Sequence, residues 1–397
     1  MKSFIKKNYA IFVFALIFFV VGSENGGYQI ALINITSDLQ LNETVKGIIV
    51  AMQYLAILVT PLIFGNFADK FGKKKIAIIF LFILFIGCLI ITYAYNVPIF
   101  IVGIFFVGAG ISIIQTIISA QLIDIYPASN PQRMTIAQIF YSLGAVISPL
   151  AFNSFMNKGM SWHYVFTAIG IMCIIGIVGY LFLKNKPQEF VYKNKDHSNS
   201  SQGKMNKESN IPWLYVTIFI IIFLVYVGVE TGFAYFLPSF MKGELNAEAL
   251  SAGCLSLFWG MQIAGRVISV ALMKIKHLLL LICLVGMSIS IILIGTSTNS
   301  TSTYIFTAFA GLFCGPIYPL ITSIGISFAP QKSATVSGFF IASSGVGGML
   351  LPIVVGSLGG YFNYRVSFYF LGCFVIVGII AYLIYLFKSH SIVKVHR

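Results

Sequence analysis

Twelve apolar runs, each long enough to cross a bilayer, constrain this chain more than any other feature. Spanning ~30 Å of hydrocarbon as helix takes about 20 apolar residues. Such runs stand at 9–33, 44–65, 76–95, 98–123, 134–156, 163–183, 213–240, 249–272, 278–297, 303–328, 334–360 and 366–387. Backbone polar groups in hydrocarbon must be bonded internally, and runs of this length achieve that as helices. The expectation is an all-α membrane protein with twelve transmembrane helices. Composition agrees: 58% of the 397 residues are hydrophobic and 9% are charged, too little polar surface to cover a soluble globule.

The net charge of +14 raises the question of a nucleic-acid partner, and the placement of the basic residues answers it. Twenty of the 25 Lys and Arg fall in segments on the side of the two termini. Lys46, Lys158, Lys242 and Arg365 fall on the other side, and Arg266 lies within a span. That imbalance is the positive-inside bias, so the reading is a multi-pass protein of the cytoplasmic membrane with both termini in the cytoplasm and no nucleic-acid partner. Lys2, Lys6 and Lys7 precede an apolar run as in a secretory signal, but no small-residue cleavage site follows. The six cysteines stand singly in apolar runs and read as buried free thiols, and the five histidines fall outside the interiors of the runs, His163 standing at the first position of the sixth. No metal site, cofactor or enzymatic constellation of nucleophile and base is visible.

One long polar break, "KNKPQEFVYKNKDHSNSSQGKMNKESN", separates the sixth and seventh runs. It divides the chain into an N-terminal six-helix bundle (1–183), a cytoplasmic linker (184–212) and a C-terminal six-helix bundle (213–397). The halves repeat one another. "VGSENG" in the first run matches "VGVETG" in the seventh, and Gly144 with Pro149 in the fifth matches Gly347 with Pro352 in the eleventh. Two matches at nearly the same offset argue for pseudo-symmetric, duplicated halves.

After the second run, "GNFADKFGKKK" gathers five charges into eleven positions, 65 to 75. It resembles the loop between the second and third helices of the major facilitator superfamily, a pattern matched by Gly65, Asp69, Lys70, Gly72, Lys73 and Lys74. Gly65 allows close helix approach, Gly72 permits the turn, and the lysines suit lipid phosphates. The resemblance implies the two-bundle fold of that superfamily, and it implies a gating role for the motif, with Asp69 near the start of the eleventh helix.

Glu24 and Glu230 are the carboxylates deepest within the runs, near the midplane when counted at ~1.5 Å per residue. A lone charge there costs at least a few kcal/mol, so both are candidates for proton coupling in facing helices. "VETGFAYFLP", "FWGMQIAGR" and "GPIYP" resemble the fucose, galactose and glucose proton-symporter branch of the superfamily. Gln115 stands where fucose permeases carry Glu, and Ser119 where the branch often has Asn, so the proton role would pass to Glu24. Trp259, Gln262 and Arg266 recur on one helical face. Aromatic faces stack on sugars and amides bind hydroxyls, which makes Tyr28, Gln29, Gln53, Tyr54, Gln115, Gln138, Tyr141, Tyr235, Trp259 and Gln262 the candidate substrate-binding set. Arg266 is read as a gate residue or as one that snorkels to the cytoplasmic edge. Pro149, Pro316, Pro319 and Pro352 permit bends in gating helices.

Taken together, these features point to secondary active transport: symport of a small neutral sugar-like solute with protons, or with Na⁺, by a monomer working through alternating access among membrane lipids. Two other classes remain at this point. "GAVISP" resembles the fifth-helix pattern of drug and proton antiporters, with Ser148 in place of Gly, and supports export of amphipathic or cationic compounds. A receptor that has lost transport would function without Glu24.

Overall fold

A computed structural model describes residues 2–125, 130–183, 213–328 and 333–395; the linker expected at 184–212 lies outside them. The regular elements among the described residues are twelve α-helices and one 3₁₀ turn, Met273–Ile275. The helices are α1 (Lys2–Asp38), α2 (Glu43–Phe71), α3 (Lys73–Thr92), α4 (Val97–Ile125), α5 (Asn130–Met156) and α6 (His163–Leu181). They continue as α7 (Trp213–Gly243), α8 (Glu248–Ala271), α9 (Lys276–Thr296), α10 (Ser300–Ser327), α11 (Ser333–Tyr361) and α12 (Tyr364–Val395).

Eleven of these helices are long and apolar enough to cross a membrane; α8 is the exception. Its Glu248, Gln262, Arg266 and three serines lower the hydropathy of a helix that otherwise occupies the expected span. Short Asn-led turns start four of the even-numbered helices. The side-chain oxygens of Asn42, Asn96, Asn299 and Asn363 accept from the backbone N–H groups of Val45, Ile99, Ser302 and Val366 at 2.8 to 3.0 Å, satisfying first-turn donors that apolar surroundings leave stranded. Gly72, at φ +93°, separates α2 from α3 in a conformation that side chains resist.

The packing repeats with a shift of six helices. In the first half α1 packs on α5 and α6, α2 on α4, and α3 on α4 and α6. In the second, α7 packs on α11 and α12, α8 on α10, and α9 on α10 and α12. The two sets meet where α2 lies on α11, α5 on α8 and α1 on α7. Outward-facing apolar side chains such as Ile86 of α3, Ile175 of α6, Ile289 of α9 and Ile380 of α12 are exposed, as a hydrocarbon solvent requires.

The repeated glycine motifs turn out to be one helix crossing built twice. A Cβ on Gly22 would collide with the carbonyl of Tyr141, and one on Gly144 would lie 2.7 Å from the Ser23 nitrogen, so α1 and α5 touch backbone to backbone. Gly228 and Gly347 do the same for α7 and α11, with a Cβ on Gly228 2.9 Å from the Gly347 carbonyl oxygen. Small residues at such crossings let helices reach van der Waals contact where apolar burial gives no drive to associate.

Two readings of the sequence need correction. Cys373 is exposed, on the outer surface of α12, while the other five thiols are buried. His163 and His277 belong to apolar helices, in the first turns of α6 and α9, where His277 Nδ1 lies 3.1 Å from the Tyr382 hydroxyl.

Gly144→Val and Gly347→Val should each destabilise the protein by about 1–3 kcal/mol through overpacking, read as lower thermal unfolding midpoints in detergent. Gly260→Ala should leave the midpoint unchanged, because its new Cβ meets only Val146 Cγ2, at 3.9 Å.

Candidate functional site

A cavity of about 160 Å³ lies between α1, α2, α4 and α5 on one side and α7, α8, α10 and α11 on the other; α3, α6, α9 and α12 contribute nothing to its lining. Of the expected site residues it collects Glu24, Glu230, Gln29, Gln53, Tyr54, Gln115, Gln138, Tyr141, Trp259 and Arg266. Tyr28, Tyr235 and Gln262 stand behind its wall. Tyr28 and Tyr235 are buried with ring centroids 5.2 Å apart and edge to face, and Gln262 is fully buried beneath Glu230.

The first of two polar chains starts from Glu24, which is 1% exposed. Gln53 Nε2 donates to Glu24 Oε1 at 3.0 Å, and the Tyr235 hydroxyl donates to Gln53 Oε1 at 3.0 Å. One amide therefore joins α1, α2 and α7. Beside it, Thr231 Oγ1 donates to the Tyr54 hydroxyl at 3.2 Å.

The second chain starts from Glu230. Its Oε1 accepts from the Tyr226 hydroxyl at 2.9 Å, Gln262 Nε2 at 3.0 Å and the Cys314 thiol at 3.5 Å. Gln262 Oε1 in turn accepts from Arg266 Nη2 at 2.8 Å. Arg266 does not snorkel to an edge: its Nη1 donates to Ser142 Oγ of α5 and its Nε to the Gly315 carbonyl at 3.3 Å. Three hydrogen-bond acceptors hold this half-buried guanidinium between α5, α8 and α10, against the snorkelling half of the sequence reading but not the gate half.

Trp259 forms a third junction. Its indole N–H donates to Gln29 Oε1 at 3.0 Å, Gln29 Nε2 donates to Asn25 Oδ1 at 2.9 Å, and Asn25 Nδ2 reaches the Tyr141 hydroxyl. The Trp259 and Tyr141 rings meet edge to face, 6.0 Å between centroids. Asn25, Tyr226, Ser142 and Cys314 were missed in the sequence. Asn25 is four residues from Gln29 and Tyr226 four from Glu230, the helical neighbour spacing that would have found both.

The looked-for gate is seen only in part. The surroundings of Gly65, Asp69 and Lys70 lie outside the described residues. Gly72 makes the turn, Lys73 is half-buried, and Lys74 Nζ donates to the carbonyls of Leu181 and Leu183 at 2.9 and 2.7 Å, closing the end of α6. At the far end of α2, Lys46 is 2% exposed rather than in a solvated loop. Its ammonium bonds Glu43 at 3.1 Å and Ser239 Oγ, with the Phe236 ring centroid 5.3 Å away, so α2 is fastened to α7.

The sequence pattern of the Major Facilitator Superfamily matches residues 14–340 and again 273–395. The chain belongs to the major facilitator superfamily. Among members of this superfamily, it is 25% identical over 325 residues to the glucose/mannose transporter of Bacillus subtilis, covering 78% of each chain. It is 23% identical over 385 residues to a glucose/galactose transporter of Brucella abortus, covering 91% of each. A crystal structure of the major facilitator transporter FucP in the outward conformation superposes with a TM-score of 0.67 at 19% identity, and one of the E. coli fucose:proton symporter FucP with a TM-score of 0.66 at 18%, each covering 94% of this chain and 98% of that one, which establishes the shared fold.

Gln53→Leu leaves the Glu24 carboxylate and the Tyr235 hydroxyl facing each other without their shared amide. The expected loss is about 1–3 kcal/mol of stability, measured as a lower unfolding midpoint, with Tyr235→Phe in the same background adding little because the chain is already broken.

Proposed function

We propose that this chain is a proton-coupled symporter of a small neutral sugar, working by alternating access in the cytoplasmic membrane with both termini inside. The observation that carries the proposal is the cavity: a small, amide-rich and aromatic space holding two carboxylates. The cavity volume is about 160 Å³. A monosaccharide is of that scale, whereas pockets for drug-sized ligands run to ~300–1,000 Å³. The indole face of Trp259 and the amides of Gln29, Gln115 and Gln138 suit a polyol better than a lipophilic cation. The sugar names carried by the relatives support the same reading, and the efflux alternative loses its motive.

Residues 1–183 and 213–397 act as two six-helix bundles joined by the linker 184–212. The sixfold shift in helix packing supports this division, and the contacts α2–α11, α5–α8 and α1–α7 become the surfaces that part and close. Lys46 and the Gly47–Pro352 approach fasten one end of α2, while the "GNFADKFGKKK" loop serves the other end. Glu24 carries the proton: it lines the cavity, and Gln53 links its occupancy to α7. Protons enter from cavity water, and the chain functions as a monomer without cofactor.

Proteoliposomes under an inward proton gradient should accumulate labelled glucose, galactose or mannose. Glu24→Gln should abolish accumulation while sugar exchange across the membrane at equilibrium continues. Accumulation by Glu24→Gln at the wild-type level would overturn the coupling role.

A further inference from the structure

The two cavity carboxylates are bonded differently, and the difference assigns them different work. Three donors crowd one oxygen of Glu230, Oε1: the Tyr226 hydroxyl, the Gln262 amide and the Cys314 thiol. A carboxylate oxygen offers about two lone-pair sites, so Oε1 is saturated by the protein. Among the described residues no donor reaches Oε2, and Glu230 is only partly buried and lines the cavity. Glu24 has one donor, Gln53, and is 1% exposed.

The orientation of Glu230 is enforced from behind. Arg266 can only donate, so it fixes the Gln262 amide with its oxygen toward the guanidinium and its Nε2 toward Glu230. Arg266 is itself held by Ser142 of α5 and the Gly315 carbonyl of α10. The result is a carboxylate with one oxygen spent on protein donors and the other without a protein donor among the described residues, in a residue that lines the same cavity as Trp259. Such a free oxygen is an acceptor for a hydroxyl donor, and hydrogen bonds to a charged acceptor are the stronger kind.

Building on the symporter reading, we propose that Glu230 Oε2 accepts a hydroxyl of the transported sugar and sets specificity for a hydroxyl-bearing neutral solute, while Glu24 alone carries the coupled proton. Gln262 is a positioning residue that aims Glu230 through Arg266. No covalent step is involved; the proton moves on and off Glu24 only.

The test measures affinity and coupling together in proteoliposomes, using glucose, galactose and mannose and the monodeoxy analogues of whichever is transported. With wild-type protein, one monodeoxy analogue should bind roughly tenfold or more weakly than its parent, the loss expected for one charge-assisted hydrogen bond. In Glu230→Gln the parent should lose affinity by a similar factor, and the penalty for that analogue should shrink. The proton-to-sugar ratio of the remaining transport should match the wild type. Uniform affinity across the wild-type deoxy series overturns the proposal without any variant. So does a Glu230→Gln protein that binds normally but moves sugar without protons. A wild-type protein that transports none of the sugars fails earlier, and sinks the symporter reading itself.

Discussion

Polar side chains inside a hydrocarbon layer must find their partners within the protein, and here many of them bond between the first six helices and the last six. Gln53 with Tyr235, Tyr54 with Thr231, Gln29 with Trp259, and Ser142 with Arg266 all cross that divide. Ser256 adds a bond to the Val146 carbonyl at 2.8 Å. Removing one partner from such a pair leaves a buried group unsatisfied, which is costly at low dielectric. If the chain works by the proposed alternating access, separating these surfaces needs something to take the place of the broken bonds. In the proposed symport cycle, water entering the cavity, a sugar's hydroxyls and a proton on Glu24 would be the substitutes, which would tie the conformational cycle to its ligands.

Packing complements this polar seam. Within each half the glycines at the α1–α5 and α7–α11 crossings bring backbones together, so each half is held by close apolar contact. Between the halves, the contacts mix glycine approaches with side-chain hydrogen bonds. The α2–α11 surface is close-packed at Gly47 and Pro352 and at Leu58 and Gly345, and Lys46 sits beside it with its charge shared among Glu43, Ser239 and the Phe236 ring. A buried ammonium adds little net stability over an apolar side chain. Under the proposed alternating access it would regain full hydration once α2 moved away, as a surface that opens repeatedly requires.

Much of this was legible in the sequence for simple reasons. Hydrocarbon demands long apolar helices, so their number and approximate limits could be read from the placement of the apolar runs. Glu24 and Glu230 stood out because carboxylates at that depth are expensive, and the repeated glycines because close crossings leave a fixed spacing. What escaped was set by partners far along the chain. Lys46 reads as an outer-loop lysine, yet Ser239 lies 193 residues away and completes its burial. Arg266 reads as an edge residue, and only the fold supplies Ser142, 124 residues distant. Cys314 reads as an inert thiol, and its contact with Glu230 depends on α10 lying beside α7. Tyr28 and Tyr235 have the right chemistry for a sugar site but face inward from the cavity wall, because single-helix periodicity does not say which neighbour a tyrosine meets.

Charge movement tests the central claim most directly, since a neutral sugar carries no current unless an ion travels with it. Proteoliposomes adsorbed on a solid-supported membrane would be pulsed with hexose at equal pH and ionic composition on both sides. The account predicts a transient of positive charge into the vesicles with each pulse, present without Na⁺. Electroneutral hexose uptake, or current only with lipophilic cations, would contradict it.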